Sequence, residues 1–155
     1  MSNVKAPNFA VLLGPFIAEV PEDGRPRFLA LLERGAAERY RGWARELPEH
    51  AEMLLACAAR EDEIADRVEK LYPIAAALEK EIAQPLPRAR DAYFGVFADL
   101  SIRDQLAIQA SAERQGAAAW RGLASQHPDP ASREELERCA LLEETSANQL
   151  DALPD

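Results

Sequence analysis

Three observations predict an all-α fold. Alanine and leucine dominate a composition that is 48% apolar but only 6% aromatic, which favours helices packed through small residues over a sheet core. Apolar residues recur at alternating threes and fours along four long stretches, the period of a buried helix face. Those stretches also match in pairs. ERGAAERYRGWA (Glu33 to Ala44) recurs as ERQGAAAWRGLA (Glu113 to Ala124), and CAAREDEIADRVEKL (Cys57 to Leu71) recurs as CALLEETSANQLDAL (Cys139 to Leu153). The rare residues fix the register of this repeat: the only two cysteines align, as do Tyr40 with Trp120 and both Arg-Gly pairs.

The elements follow in order. Residues 1–24 read as an extended or short-helical arm, rich in proline and closed by Glu22-Asp23-Gly24. A first helix runs from about Pro26, a residue suited to a first turn, to about Glu46, with the seam Leu29, Glu33, Ala36, Tyr40, Trp43, Leu47. Pro48 marks the turn. A second helix carries Leu54, Cys57, Glu61, Ile64, Val68 and Leu71 until Pro73 ends or kinks it. Residues 26–72 thus form one hairpin. Residues 73–100 form a long crossover with short helical pieces and a linker at Gln84-Pro85-Leu86-Pro87. Ser101 is placed to cap a third helix, with Asp104 in its first turn and the seam Leu106, Ala110, Glu113, Ala117, Trp120, Ala124. After the turn His127-Pro128-Asp129-Pro130, Ser132 and Glu135 form a capping-box pattern. It opens a fourth helix with Leu136, Cys139, Glu143, Ser146, Leu150 and Leu153. Residues 101–153 make the second hairpin, and 1–155 is expected to be a single domain. The eleven prolines are expected at helix ends.

Four of these seam positions are glutamates: Glu33, Glu61, Glu113 and Glu143. In an antiparallel pair, residues equidistant from the turn lie level. Leu47 and Pro128 are close to the midpoints, so each glutamate pair should face across its hairpin, roughly 20 Å from the turn. Two hairpins with their seams facing inward would bring all four carboxylates to one layer. Unneutralised, that layer would cost more than the roughly 5–15 kcal/mol that keeps an ordinary domain folded. Three remedies are available. Hard divalent cations would convert repulsion into binding. Arg34, Arg41, Arg114 and Arg121 stand near enough in sequence to pair with the glutamates. Protons shared between neighbouring carboxylates would do the same.

With these residues, the chain resembles the ferritin-like superfamily, and within it the rubrerythrin and ferritin-like di-iron carboxylate proteins, over about residues 26–153. In that family one helix of each hairpin supplies a single Glu and the other supplies Glu-x-x-His. Glu33 and Glu113 match the single glutamates. Ala36 and Gly116, Tyr40 and Trp120, and Ala44 and Ala124 follow at similar spacings. Glu61 and Glu143 match the start of the second motif, but Ile64 and Ser146 stand where its histidines are expected. The resemblance implies a ferritin-like four-helix bundle and a carboxylate site ligated by Glu33, Glu61, Glu113 and Glu143. That site would hold up to two Fe or Mn ions, with redox chemistry on dioxygen or peroxide, or iron handling, as its use. The alternative is a metal-free bundle serving assembly, partner binding or a small apolar ligand.

His50 and His127 fall at the turn ends, away from the glutamate layer. Cys57 and Cys139 are expected as small core residues, with a thiolate-ligand role as the rival reading. Tyr40 and Trp120 are expected as packing, and Asp62, Glu63 and Glu144 as solvent-facing. A net charge of −9 argues against nucleic acid and anionic membrane as partners. No 18-residue apolar run predicts a membrane span. Val11 to Ile17 lacks the flanks of a signal peptide, so a cytoplasmic location with reduced thiols is expected. The apolar arm (Phe9, Val11, Leu12, Leu13, Phe16, Ile17) and its counterpart Tyr93, Phe94, Val96, Phe97 are expected to cover an exposed face in a homodimer, or to pack on their own chain.

Overall fold

In the computed structural model, which describes residues 3–154, helices account for nearly all regular structure and no strand occurs among the described residues. Seven α-helices follow in order among the described residues: α1 (Phe9–Glu19), α2 (Arg25–Glu46), α3 (Ala51–Leu71), α4 (Ala76–Ala83), α5 (Leu86–Gly95), α6 (Ile102–Gln126) and α7 (Pro130–Asp151). The chain divides into two compact units. One spans Asn8–Ala98 and the other joins Asp99–Asp155 with the segment up to Pro7.

Prolines decide where the long helices stop. Leu47 and Tyr72 each precede a proline, whose ring disfavours the helical conformation in the residue before it. They adopt almost the same backbone, φ −124°, ψ 70° and φ −123°, ψ 68°. His127 and Asp129, each also before a proline, are extended. Pro26, Pro48, Pro87 and Pro130 sit in first turns, where the missing N–H would have had no partner. Pro15 departs from this rule, because it lies inside α1. There it removes the bond to the carbonyl of Val11, a residue 73% exposed, where water can satisfy that group.

In the unit Asn8–Ala98, α2 and α3 form the predicted hairpin, and their cross-helix pairs show that it is antiparallel. Arg27 donates to the carbonyl of Glu69 at 2.9 Å, Arg34 contacts Asp66 and Asp62, and Arg41 contacts Asp62. Of the expected linker, Gln84-Pro85 is the turn between α4 and α5, while Leu86-Pro87 already opens α5, because Pro87 fits its first turn. Helices α4 and α5 lie against α2, and α1 lies against α5. Val20, Phe28, Ile82 and Ala89 form the core of this layer, with Leu13, Phe16 and Ile17 of α1 packed on it. Each large apolar side chain among them contributes about 1.5–3 kcal/mol when fully buried. The apolar arm therefore covers its own unit. Gly24 permits the tightest approach in this layer, since a Cβ there would lie 2.8 Å from Ile82 Cγ1.

The other unit is built on the hairpin α6–α7. Ser101 caps α6 as expected, its hydroxyl accepting from the Asp104 N–H at 3.2 Å. The expected Ser132–Glu135 box does not form. Asp129 is the N-cap of α7, and its carboxylate accepts from both the N–H and the hydroxyl of Ser132, at 2.9 and 2.7 Å. Pro130 accounts for the shift: it belongs in a first turn, so the cap falls immediately before it.

Candidate functional site

The four seam glutamates lie in the middle of their helices, but not on equal terms. Glu61, Glu113 and Glu143 are buried, whereas Glu33 is only half-buried. The arginines offered as neutralisers face along the hairpin flanks. Arg34 binds Asp62, Asp66 and Glu69 at 2.8–3.3 Å, and Arg41 pairs with Asp62. Arg114 pairs with Asp151, and Arg121 with Glu137 and Glu144. Hydrogen bonding to Asp66 is the main reason the Arg34 guanidinium has its pKa raised, and Glu144 does the same for Arg121. Asp62 and Glu144, expected to face solvent, are thus flank ion-pair partners.

In α2–α3, carboxylate oxygens of Glu33 and Glu61 lie within 4.8 Å of each other, as the turn geometry predicts. An ion midway between them would stand at most about 2.4 Å from each, within reach of hard divalent cations. Ile64, at the expected histidine position, is fully buried and apolar. The donors of this hairpin are therefore oxygens, a set suited to Mg, Ca, Mn or Fe(II) more than to copper or zinc.

In α6–α7 the same positions are furnished differently. Gln109 Nε2 donates to Glu113 Oε1 at 2.8 Å, and Trp120 Nε1 donates to Glu143 Oε1 at 3.1 Å. The Glu143 carboxylate rests against Gly116, where an added Cβ would lie 2.5 Å from Oε1. Gln109, Glu113, Gly116 and Trp120 are spaced by fours and threes and share one face of α6. Trp120, expected as packing, is a hydrogen-bond donor to a buried acid. Gln109 escapes a reading of the sequence; its only signal is a polar residue one turn before a seam glutamate. Ser146, the second histidine replacement, is fully buried.

Comparison of the chain with protein-family models, curated proteins and solved structures gave no match. The site therefore has to be read from its own chemistry.

The remaining candidates divide simply. Cys57 and Cys139 are buried free thiols. Cys57 Sγ lies 3.7 Å from Met53 Sδ and 3.5 Å from Arg60 Nη1. Tyr40 is buried and packs edge-on against Trp43, with ring centroids 5.4 Å apart. His50 lies in the α2–α3 turn, and the His127 Nδ1 accepts from the Asp129 N–H. A cavity of about 260 Å³ opens beside α2 and α4, not along the small-residue seams. Arg27, Glu69 and Glu79 line it together with Leu31, Ile74 and Ile82. No described helix is long and apolar enough to cross a membrane.

Proposed function

We propose that this chain is a divergent ferritin-like carboxylate protein that binds a hard divalent cation, Fe(II) or Mn(II), through its seam glutamates. Glu33 and Glu61 are the leading ligand pair. The observation that carries this reading is their approach to within 4.8 Å in α2–α3, with Glu61 only 1% exposed. Bringing a second carboxylate against a buried one is costly unless positive charge joins them. A cation supplies that charge and gains several charge-assisted contacts in return. With isoleucine and serine where imidazoles would be, oxygen ligands dominate, which favours manganese or ferrous iron over zinc or copper. Bound iron or manganese would supply one-electron chemistry towards dioxygen or peroxide. The protein's own contribution is to hold the carboxylates in place and limit their access to water.

The test is elemental analysis of protein purified without chelator and then incubated anaerobically with Fe(II) or Mn(II). Stoichiometric uptake by the native chain, lost in the Glu33→Gln/Glu61→Gln double variant, is the expected result. Equal uptake by native chain and variant would remove these residues from the site.

One observation favours a second reading. Gln109 donates to Glu113 and Trp120 to Glu143, so α6–α7 already has a means of holding acids without an ion. A chain that takes up no metal under any of these conditions would be a metal-free helical protein serving assembly or partner binding.

A further inference from the structure

Gly116 occupies the middle of α6, a helix otherwise rich in alanine, although glycine there costs up to about 1 kcal/mol relative to alanine. The environment of this glycine is specific. At Gly122, on the same helix, nothing lies within 4 Å of the place a Cβ would take, whereas at Gly116 the Glu143 carboxylate fills that space, with Oε1 at 2.5 Å and Cδ at 3.0 Å. One turn further on, Trp120 sends its indole N–H to the same Oε1 at 3.1 Å. Both Trp120 and Glu143 are buried. Indole is a donor only, so it can anchor a carboxylate but cannot itself bind a cation. The repeat supplies the contrast. The position matching Gly116 is Ala36, which carries the methyl that Gly116 lacks, and in that hairpin Glu61 lies close to Glu33.

We propose that Gly116 and Trp120 are positioning residues: together they seat the Glu143 carboxylate on α6 and set the direction in which it presents itself as a ligand. This inference rests on the cation reading of the glutamates. Glycine provides the seat and the indole N–H fixes the carboxylate in it. Because the clashing atoms are at the far end of a flexible side chain, Gly116→Ala re-aims Glu143 without rebuilding the helix.

The first measurement is the ¹⁵N–¹H spectrum of the tryptophan indoles in metal-free protein. Trp43 and Trp120 give the two signals, and Trp120→Phe assigns them by deletion. In Gly116→Ala the Trp120 signal should move upfield as its hydrogen bond is lost, while the Trp43 signal stays near its native position. The second measurement is Mn(II) titration. Residues that orient a ligand typically change metal affinity 10–100-fold, and Gly116→Ala should weaken Mn(II) about tenfold. An unmoved Trp120 signal, or unaltered Mn(II) affinity alongside a moved one, would overturn the positioning role. A signal that moves in a chain whose native form takes up no Mn(II) would sink the cation reading while leaving the seating of Glu143 in place.

Discussion

Set side by side, α2–α3 and α6–α7 carry the same ladder of contacts on their flanks. Arg34 reaches Asp66 and Glu69 where Arg114 reaches Asn148 and Asp151, and Arg41 reaches Asp62 where Arg121 reaches Glu144. These are matching positions in the sequence repeat. Along the seams the match ends: Leu29 corresponds to Gln109, Ala36 to Gly116, Tyr40 to Trp120 and Ile64 to Ser146. Charge pairs on long, partly exposed side chains tolerate Asp for Glu or Asn for Asp, because water and rotamer freedom absorb the difference. A buried carboxylate has no such latitude. One hairpin brings its two acids close to each other. The other sets a donor against each acid and a glycine seat against one of them.

The strongest way to break this contrast is to make the second seam resemble the first. Gln109→Leu removes the donor to Glu113 and surrounds a buried carboxylate with methyl groups. Hydrogen bonds to charged groups contribute about 1.5–3 kcal/mol, and for a chain of this size each kcal/mol moves Tm by about 2–4 °C. A fall of roughly 3–12 °C is expected from those two ranges, together with a lower urea midpoint at unchanged slope. An unchanged Tm would mean that Glu113 does not depend on Gln109, and the two seams would be energetically alike.

The flank ladder can be sharpened with paired deletions. Arg34 touches three carboxylates, Arg114 one carboxylate and an amide. Arg34→Ala should therefore cost more than Arg114→Ala. Both effects should lie near the about 0.2–1 kcal/mol of partly exposed pairs, since solvent screens each of these groups. The difference should shrink as salt is raised from low concentration to about 1 M, where the screening length falls to roughly 3 Å. Denaturant melts at both salt concentrations check this. Equal costs for the two variants would show that the extra acids on α3 contribute nothing.

The smallest expected effect concerns the turns. Asp129 caps α7, and hydrogen bonds from the Ser132 hydroxyl, then from its N–H, hold the Asp129 carboxyl below its usual range. A carboxyl with a depressed folded pKa stabilises the fold above its unfolded pKa, about 3.9. That contribution is lost as pH falls through the lower folded value. Asp129→Ala should thus lower stability slightly at neutral pH, and the difference from the native chain should vanish in acid. The α2–α3 turn has no side-chain cap at His50, so changes there should leave the acid limb unaltered. A gap between native and variant chains that persists at about pH 2, well below the usual carboxylate range, would assign the Asp129 effect to something other than its charge.

Much of the helical plan is legible in the sequence because its determinants are local. Apolar spacing, the Ser101 cap and the prolines at residues 48, 73 and 128 depend on neighbours within a few positions. Pro15 defies the local rule because its place inside α1 depends on water being available to the Val11 carbonyl, which sequence does not reveal. Ser132 misleads because two capping patterns overlap, and Pro130 decides between them. The glutamates stand out from their place in an apolar seam. What they bind to is not legible, since an indole N–H, an amide or an arginine can each reach an acid from several positions. Gln109 looks like any surface glutamine until its burial is known.

The spacing of the flank ladder has a consequence of its own. Arg27, Arg34 and Arg41 recur every seven residues on α2, and Glu137, Glu144 and Asp151 do so on α7. On a straight helix each successive member would drift about 20° around the axis. A gentle left-handed winding of the two arms about each other would cancel that drift and keep all three over the partner helix. The length of each hairpin therefore comes in steps. A heptad added to both arms would keep the ladder and the glutamates in phase, whereas three or four residues would over- or underwind the pair and turn the carboxylates off the face that holds them.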